Sequence, residues 1–275
     1  RIYQNALWGQ RDNFMSVPTD CPQRDERLGW TGDAQVFFRT ASFLGRVDNF
    51  FNKWLADLKA DQRADGRVPR IIPDTYPDGD YRTAATGWAD AATIIPWNHY
   101  MAYGDVRILE QQYASMKGWV DYMVSQSKDR GWLWNNGSHY GDWLFYSLSN
   151  DPGGQSAVTS SHLVAQCFFA NSADIVSRTA VLLDKPEEAD HYAEIARKVR
   201  KAYMDEYVTP NGLISSDTQT AYVLALQCNM LPESLRAQAV ERLVENIKRY
   251  GNHITTGFLG TSYICNVLTE YGRSD

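Results

Sequence analysis

Apolar residues recur at helical spacing along most of the chain, and this periodicity limits the possible folds more than any other feature. The stretch Ala34 to Leu44 carries apolar side chains three and four positions apart, and a second stretch runs from about Val47 to Asp61. Further helices are predicted at about 88–103, from after Asp105 to about 127, and at 157–184, 186–206, 218–230, 233–250 and 261–272. No strand alternation of the βαβ kind interrupts them. The sequence therefore predicts an all-α fold.

The connections between these helices alternate between short turns and long loops. Residues 1–30 contain Pro18, Pro22 and Gly29, and we expect this segment to be irregular. Long loops are predicted at 64–86, where short β-hairpins can form, and at 129–155. Helical hairpins with this spacing favour an α/α arrangement that gathers its long loops at one end, and functional sites tend to lie on such loops.

Composition excludes several classes of protein. Hydrophobic residues make up 44% and charged residues 22% of the 275 positions, which is typical of a globular protein. The net charge of −6 argues against a nucleic-acid partner, and no apolar run reaches the roughly 18 residues that span a bilayer. The chain opens at Arg1 without an apolar leader, and we expect it to be part of a longer protein of unassigned compartment.

Several common catalytic and metal-binding motifs are missing from the sequence. The four cysteines form no CxxC or Cys/His metal spacing, so no metal site is expected, and Cys167, Cys228 and Cys265 are predicted to be small core residues. His99 lies within a helical pattern and is predicted to be packed rather than catalytic. The sequence contains no GxSxG, P-loop, GxGxxG or HExxH motif, so serine hydrolases, nucleotide-binding proteins and metalloproteases are not supported.

The segment 20–33, which we call the acidic loop, has the highest density of chemically useful side chains. It holds two arginines, Trp30 and four carboxylates: Asp20, Asp25, Glu26 and Asp33. A carboxyl group beside a tryptophan in a partly apolar setting is disfavoured in its ionised form, whereas a nearby arginine favours ionisation. Glycoside hydrolysis requires such a difference in pKa between two carboxyl groups. The alternative is a structural network of ion pairs.

Two later loops repeat a combination of glycine, tryptophan and aspartate. They are Gly87-Trp88-Ala89-Asp90 and Gly141-Asp142-Trp143. Aspartate can bind sugar hydroxyl groups and tryptophan can cover the C–H face of a sugar ring, which fits an aromatic content of 13% with nine tryptophans. For Asp90 the alternative is a helix cap, and for the tryptophans it is a large core. A further loop at 255–260 can line the same end of the fold or simply connect two helices.

The residues of these loops resemble a known family. The run from Gly9 to Asp33, with Cys21-Pro22-Gln23-Arg24-Asp25-Glu26-Arg27-Leu28-Gly29-Trp30 at its centre, is similar to the catalytic-domain signature of bacterial α-L-rhamnosidases, glycoside hydrolase family 78. The stretches 87–90, 140–143, 219–222 and 255–261 resemble the same family in the same order. The resemblance covers essentially the whole chain.

The resemblance implies an (α/α)6 barrel that forms one domain over 1–275, with the catalytic loop within 1–33 and helical hairpins over 34–275. It implies an inverting hydrolase that removes terminal α-L-rhamnose from rhamnosides and needs no cofactor. Glu26 matches the general acid, and Asp20 and Asp33 match residues that tune the acid or bind rhamnose. The implied substrate-binding residues are Arg24, Arg27, Trp30, Trp88, Asp90, Asp142 and Trp143.

One element of the family pattern is missing from the sequence. The family's general base is a glutamate that follows a tryptophan downstream of the stretch similar to 255–261, and no such pair occurs before Asp275. Glu270 lies in a predicted helix and does not fit. We therefore expect the base and the last helices of the barrel to lie beyond Asp275, and the exposed edge to be covered by the rest of a longer polypeptide or by another chain.

Three other functions remain open from the sequence. The chain could be an (α/α)6 glycosidase for a different sugar, or a non-catalytic carbohydrate-binding domain that keeps the aromatic residues but does not need Glu26. It could also be an inactive piece of an active enzyme. A rhamnose-containing glycoside is the expected partner in the first interpretation, and neither a nucleic acid nor a membrane is expected.

Overall fold

A computed structural model describes residues 1–75, 84–147 and 157–274. Ten α-helices and one 3-10 turn, Lys128–Arg130, form within these residues. The helices are α1 Ile2–Asn13, α2 Thr31–Leu44, α3 Asp48–Asp61, α4 Ala91–Tyr103, α5 Arg107–Ser127, α6 Ser161–Leu182, α7 Pro186–Tyr207, α8 Gln219–Gln227, α9 Glu233–Arg249 and α10 Phe258–Glu270. None of the helices in the described ranges is long and apolar enough to cross a bilayer.

The chain divides into two compact units. The first contains Arg1–Ser125 and Ser172–Tyr192. Its core forms where α4 packs against α2 and α3, whose buried faces carry Phe38 and Phe51 respectively. Phe38 and Phe51 lie edge to face at 4.7 Å, and Trp54 continues the aromatic cluster. All three side chains are fully buried.

The second unit contains Gln126–Asn171 and Ala193–Asp275. Here α8 packs against both α9 and α10, and every residue of α8 from Gln219 to Leu226 is buried. A short helix that is apolar on all sides must be enclosed by its neighbours, which fits this central place. Thr218 caps α8, since its hydroxyl accepts the N–H of Ala221 at 3.2 Å.

Most predicted helices form close to their predicted limits, but the prediction for the first thirty residues is partly wrong. Residues 2–13 form α1, of which only Gln10 is buried. The helix displays Ile2 and Trp8 to solvent, at 86% and 56% exposure, so it has no clean apolar stripe of the kind that reveals a helix in sequence.

The loop hairpins and one cysteine also differ from expectation. Within the described residues, the predicted short strands are reduced to isolated bridges, one of them between Trp30 and Ile71. Residues 76–83 of the first long loop and 148–156 of the second lie outside the described residues. Cys265 is exposed rather than buried, whereas Cys167 and Cys228 are core residues as predicted, and all are free thiols. His99 is packed as predicted, beside Phe38 and Tyr103.

Candidate active site

The acidic loop is fixed at both ends by backbone hydrogen bonds. The N–H of Asp20 donates to the carbonyl of Leu28 at 3.0 Å, and the carboxylate of Asp20 accepts the N–H of Leu28 at 3.0 Å. Gly29 accepts the N–H of Ile72 at 2.8 Å, and a Cβ at Gly29 would collide with the carbonyl oxygen of Ile72. Only glycine fits this contact, so the loop has a defined path in front of α2.

Glu26 lies on this loop with both carboxylate oxygens engaged. Its Oε1 accepts a hydrogen bond from the indole Nε1–H of Trp30 at 2.9 Å, and its Oε2 accepts one from Nε of Arg24 at 2.8 Å. The same arginine also reaches Asp20, with Nη2 and Oδ2 3.4 Å apart. The Glu26 side chain keeps 32% exposure, so it is oriented by its neighbours but open to an incoming molecule.

Asp33 lies in the first turn of α2 and interacts electrostatically with Asp20 and Glu26 of the acidic loop. The pKa of Asp33 is raised to about 6, chiefly by burial and also by the negative charges of Asp20 and Glu26, although a hydrogen bond from its own backbone N–H and the charge of Arg24 act in the opposite direction. A carboxyl group of this kind can exchange a proton near neutral pH. A raised carboxyl pKa of the kind expected in this loop therefore occurs at Asp33, and its main cause is burial.

Arg27, the second arginine of the loop, points to a different partner. Its guanidinium pairs with Asp25 at 3.1 Å, and both side chains are largely exposed. In this arrangement Arg24, not Arg27, holds Glu26. The substrate-binding role of Arg27 stays a prediction.

Trp88 lies beneath the start of α2. The indole is only 4% exposed, and a Cβ added to Gly32 would lie 2.8 Å from three of its ring atoms. Close packing of a ring on a glycine backbone fixes the ring plane. Trp88 thus supports the acidic loop from below and offers little surface to a ligand.

Asp90 is fully buried in the same unit, just before α4. Its carboxylate accepts hydrogen bonds from the N–H of Gly87 at 2.8 Å, from Nε1 of Trp119 at 2.9 Å and from the hydroxyl of Ser172 at 2.6 Å. Burial raises the pKa of Asp90, and these three hydrogen bonds act in the opposite direction. The alternative role as a cap of α4 is not seen, since the side chain makes no capping bond to that helix. The geometry favours a role in holding the 87–90 turn.

Asp142 plays a comparable part in the second unit. The side chain is buried, and its carboxylate accepts the N–H groups of Gly257, Leu259 and Gly260 at 2.7, 2.8 and 3.0 Å. The hydroxyl of Thr220 also donates to it. Direct contact between a sugar and Asp90 or Asp142 stays a prediction, but both carboxylates already have several protein donors.

Trp143, the next residue, is in contrast exposed. Half of its side chain surface (52%) faces solvent, and Leu144 beside it is 79% exposed. The ring of Tyr140 packs edge to face on Trp143, with centroids 6.1 Å apart. Of the three tryptophans predicted to line a sugar pocket, Trp143 is the one that presents a broad apolar face.

Sequence reasoning missed Arg70. Its side chain is 4% exposed, and its guanidinium carbon lies 5.6 Å from the centre of the Trp30 ring, within cation–π range. Its carbonyl accepts both the N–H and the hydroxyl of Thr31, at 2.8 and 3.0 Å. The segment around Pro69 resembles ordinary turn chemistry, and nothing local in it indicates contact with a tryptophan 40 residues earlier.

One group among the described residues has the composition of a metal site. Potential ligand atoms of Asp20, Cys21 and Glu26 lie within 4.8 Å of one another. The guanidinium of Arg24 already contacts the carboxylates of Asp20 and Glu26, so the positive charge in this group is that of an arginine side chain. The geometry is that of an ion-pair network around Glu26.

The fold and the acidic loop place the chain among helical-hairpin glycosidases. The chain belongs to the bacterial alpha-L-rhamnosidase six-hairpin glycosidase domain family, whose model matches residues 1–275. This membership confirms the expected family and the all-α six-hairpin fold class.

Relatives agree with this assignment over the full chain. An alpha-L-rhamnosidase of Formosa agariphila is 40% identical over 277 residues, covering 100% of this chain and 29% of the relative. The crystal structure of a Streptomyces avermitilis alpha-L-rhamnosidase complexed with L-rhamnose has a TM-score of 0.89 and 40% identity, covering 99% of this chain and 25% of that chain. An Aspergillus terreus alpha-L-rhamnosidase structure has a TM-score of 0.90 and 35% identity, over 100% and 32%. The chain therefore spans about a quarter to a third of the length of these proteins.

Proposed function

We propose that this chain forms the acid-bearing part of an enzyme that removes terminal non-reducing α-L-rhamnose from rhamnosides. The observation that carries the proposal is the position of Glu26, which is held by Trp30 and Arg24 on a rigid loop and remains open to solvent. The family membership and the L-rhamnose complex of a 40% identical relative support rhamnose as the sugar.

In this mechanism Glu26 donates a proton to the glycosidic oxygen as the bond to the sugar breaks. The Arg24 contact is no obstacle, because that side chain is 59% exposed and its ion pairs are weakened by water, so an incoming glycoside can displace it. Asp33, with its pKa near 6, holds or releases a proton next to Glu26 as the charge changes. No cofactor is needed for these steps.

Inversion requires a second carboxylate that activates water on the opposite side of the sugar, about 6.5–9.5 Å from the acid. The printed sequence contains no tryptophan–glutamate pair after the 255–261 stretch. We propose that this base comes from protein outside these 275 residues. Asp33 is the candidate within the chain if it does not, because the buried carboxylates of Asp90 and Asp142 already accept several protein hydrogen bonds.

A longer polypeptide or another chain is also the proposed cover for exposed apolar surface. On α1 and just after it, Ile2, Tyr3, Trp8 and Met15 are all more than half exposed. Several large apolar side chains exposed on one short segment are consistent with contact with further protein. The greater length of the relatives is consistent with this cover.

Release of p-nitrophenol from p-nitrophenyl α-L-rhamnoside tests the proposal, using this chain and a version extended past Asp275. Turnover by the extended version alone supports both the substrate and the external base. Proton NMR that identifies which anomer of rhamnose is released first tests inversion of the anomeric configuration. Efficient turnover by the 275-residue chain would contradict the proposal that the base lies outside it. If the protein cleaves a different aryl glycoside instead, rhamnose is the wrong sugar and only the assignment as a glycosidase stands. L-rhamnose binding that is unchanged in a Glu26→Gln variant, by a protein that hydrolyses no glycoside, would favour a carbohydrate-binding domain.

A further inference from the structure

The carboxylate of Asp142 lies at the start of α10, although it belongs to a loop more than 100 residues earlier. The residue before this helix is Gly257, which has no side chain to cap it. The first N–H groups of a helix have no partner within the helix, and a negative charge there is favoured by the helix dipole. Asp142 accepts the N–H groups of Gly257, Leu259 and Gly260, and so supplies the missing cap from a distance.

The Asp142 cap also fixes the loop 140–146, which we call the tryptophan loop. The carbonyl of Trp143 accepts the N–H of Phe258 at 2.7 Å, and the N–H of Tyr146 donates to the carbonyl of Thr255 at 3.2 Å. A Cβ at Gly257 would lie 2.6 Å from the carbonyl oxygen of Asp142, so only glycine permits this approach. Bonds on both sides of Trp143 therefore join the tryptophan loop to the 255–260 segment.

The tryptophan loop holds a conformation that needs such support. Leu144 has a φ of +63°, a left-handed backbone conformation that a leucine adopts only under constraint. Trp143 and Leu144 are held in this shape with their side chains exposed, so neither is stabilised by burial in this unit. The buried hydrogen bonds of Asp142 offset the free-energy cost of the strained backbone at Leu144.

We propose that Asp142 is a positioning residue that fixes the exposed indole of Trp143 for contact with the sugar, and does not itself bind a sugar hydroxyl. The reason is that the carboxylate is buried and already accepts four hydrogen bonds, from three backbone N–H groups and the hydroxyl of Thr220. The contact with a sugar rests on the proposed function, whereas the fixing of Trp143 does not.

A double-mutant cycle on L-rhamnose binding separates the two roles of Asp142. The variants are Asp142→Asn, Trp143→Ala and the pair, in the longest folded version of the protein, with binding measured by calorimetry. If Asp142 acts through Trp143, each single change weakens binding on the order of 10-fold and the pair is no worse than Trp143→Ala. If Asp142 holds a hydroxyl directly, the two losses multiply, and that result would overturn the proposal.

Fluorine NMR of protein labelled with 5-fluorotryptophan gives a readout that does not need a ligand. The Trp143 resonance is identified by its loss in Trp143→Ala. Asp142→Asn is expected to shift or broaden this line, and Thr220→Val, which removes only the hydroxyl donor, to do so less. An unchanged line in a folded Asp142→Asn protein would overturn the proposal. If that variant does not fold, Thr220→Val decides in the same way.

The two measurements also distinguish this proposal from the proposed function. If the wild-type protein binds no L-rhamnose, the proposed function fails, and the fluorine line alone decides whether Asp142 fixes Trp143. As a control for loss of a buried carboxylate, Asp90→Asn is expected to leave the Trp143 line unchanged, because the described hydrogen bonds of the Asp90 carboxylate come from Gly87, Trp119 and Ser172.

Discussion

The indole Nε1–H of Trp30 donates a 2.9 Å hydrogen bond to Oε1 of Glu26, four residues earlier on the same loop. The indole is in turn covered by the buried guanidinium of Arg70, whose carbonyl is bonded to Thr31. Trp30, which was predicted to bind sugar and to influence a neighbouring carboxyl group, thus also sets the direction of the proposed acid.

Replacing Trp30 with phenylalanine keeps an apolar ring but removes the hydrogen bond to Glu26. We expect kcat in the extended enzyme to fall about 10- to 100-fold, since a misdirected acid loses much of its catalytic effect. Steady-state kinetics on a rhamnoside measure this, with Trp8→Phe as a matched control on exposed α1. A rise in KM with unchanged kcat would mean that Trp30 serves only to bind the sugar.

The Gly32→Ala substitution tests the close packing of α2 on Trp88. A Cβ here would meet three ring atoms at 2.8 Å, so we expect a loss of roughly 1–3 kcal/mol from the free energy of unfolding. Urea denaturation measures it. Gly9→Ala is the control, because a Cβ at that helical position meets nothing within 4 Å and should stabilise by about 0.5–1 kcal/mol. Equal effects of the two changes would contradict the packing.

Asp33 should make the protein less stable as pH rises from about 4 to about 6. Its pKa is about 6 in the folded protein against an ordinary value of 3.8, so the folded state binds more protons than the unfolded chain in this window and loses that advantage as pH rises through 6. Asp33→Asn should therefore stabilise the protein by roughly 1–3 kcal/mol at pH 7 relative to its effect at pH 4. Urea denaturation at the two pH values measures this difference. A difference of zero would show that Asp33 is solvated like an ordinary surface carboxylate.

His139 should act with the opposite sign in the second unit. Burial lowers its pKa to about 4 from 6.5, so the unfolded chain binds more protons between these values and stability falls as pH drops through this window. His139→Gln removes that loss, which amounts to up to about 3 kcal/mol between pH 7 and pH 4. The same denaturation series on both proteins measures it. If the free energy of unfolding of the wild type and of His139→Gln varied with pH in the same way, the lowered pKa of His139 would be refuted.

Local periodicity predicted the extent of both α2 and α3, and in α3 it also predicted the buried face, because Phe51, Trp54 and Leu58 form one apolar stripe. It failed for α1, whose exposed Ile2 and Trp8 give no such stripe. It also placed the start of the last helix at Thr261 rather than Phe258, because the cap that extends the helix comes from Asp142, far away in sequence.

The same limit applies to the candidate site. Glu26, Trp30 and Arg24 were predictable as a group because they lie within seven residues of one another. Arg70 was not, since its contact with Trp30 depends on how two loops meet. For Asp90 and Asp142 the sequence indicated importance but not the kind of role, because burial and the number of donors around a carboxylate are properties of the folded chain.

The most direct test of the central claim compares Glu26→Gln on two rhamnosides that differ only in their leaving group. A p-nitrophenolate leaves readily without a proton, whereas an alkyl alcohol needs one from a general acid. If Glu26 is the acid, the substitution in the extended enzyme should lower kcat far more, by about 100-fold or greater, on the alkyl rhamnoside than on the aryl rhamnoside. Asp25→Asn, one residue away and fully exposed, should change neither rate. Equal losses on the two substrates would contradict the claim that Glu26 is the proton donor.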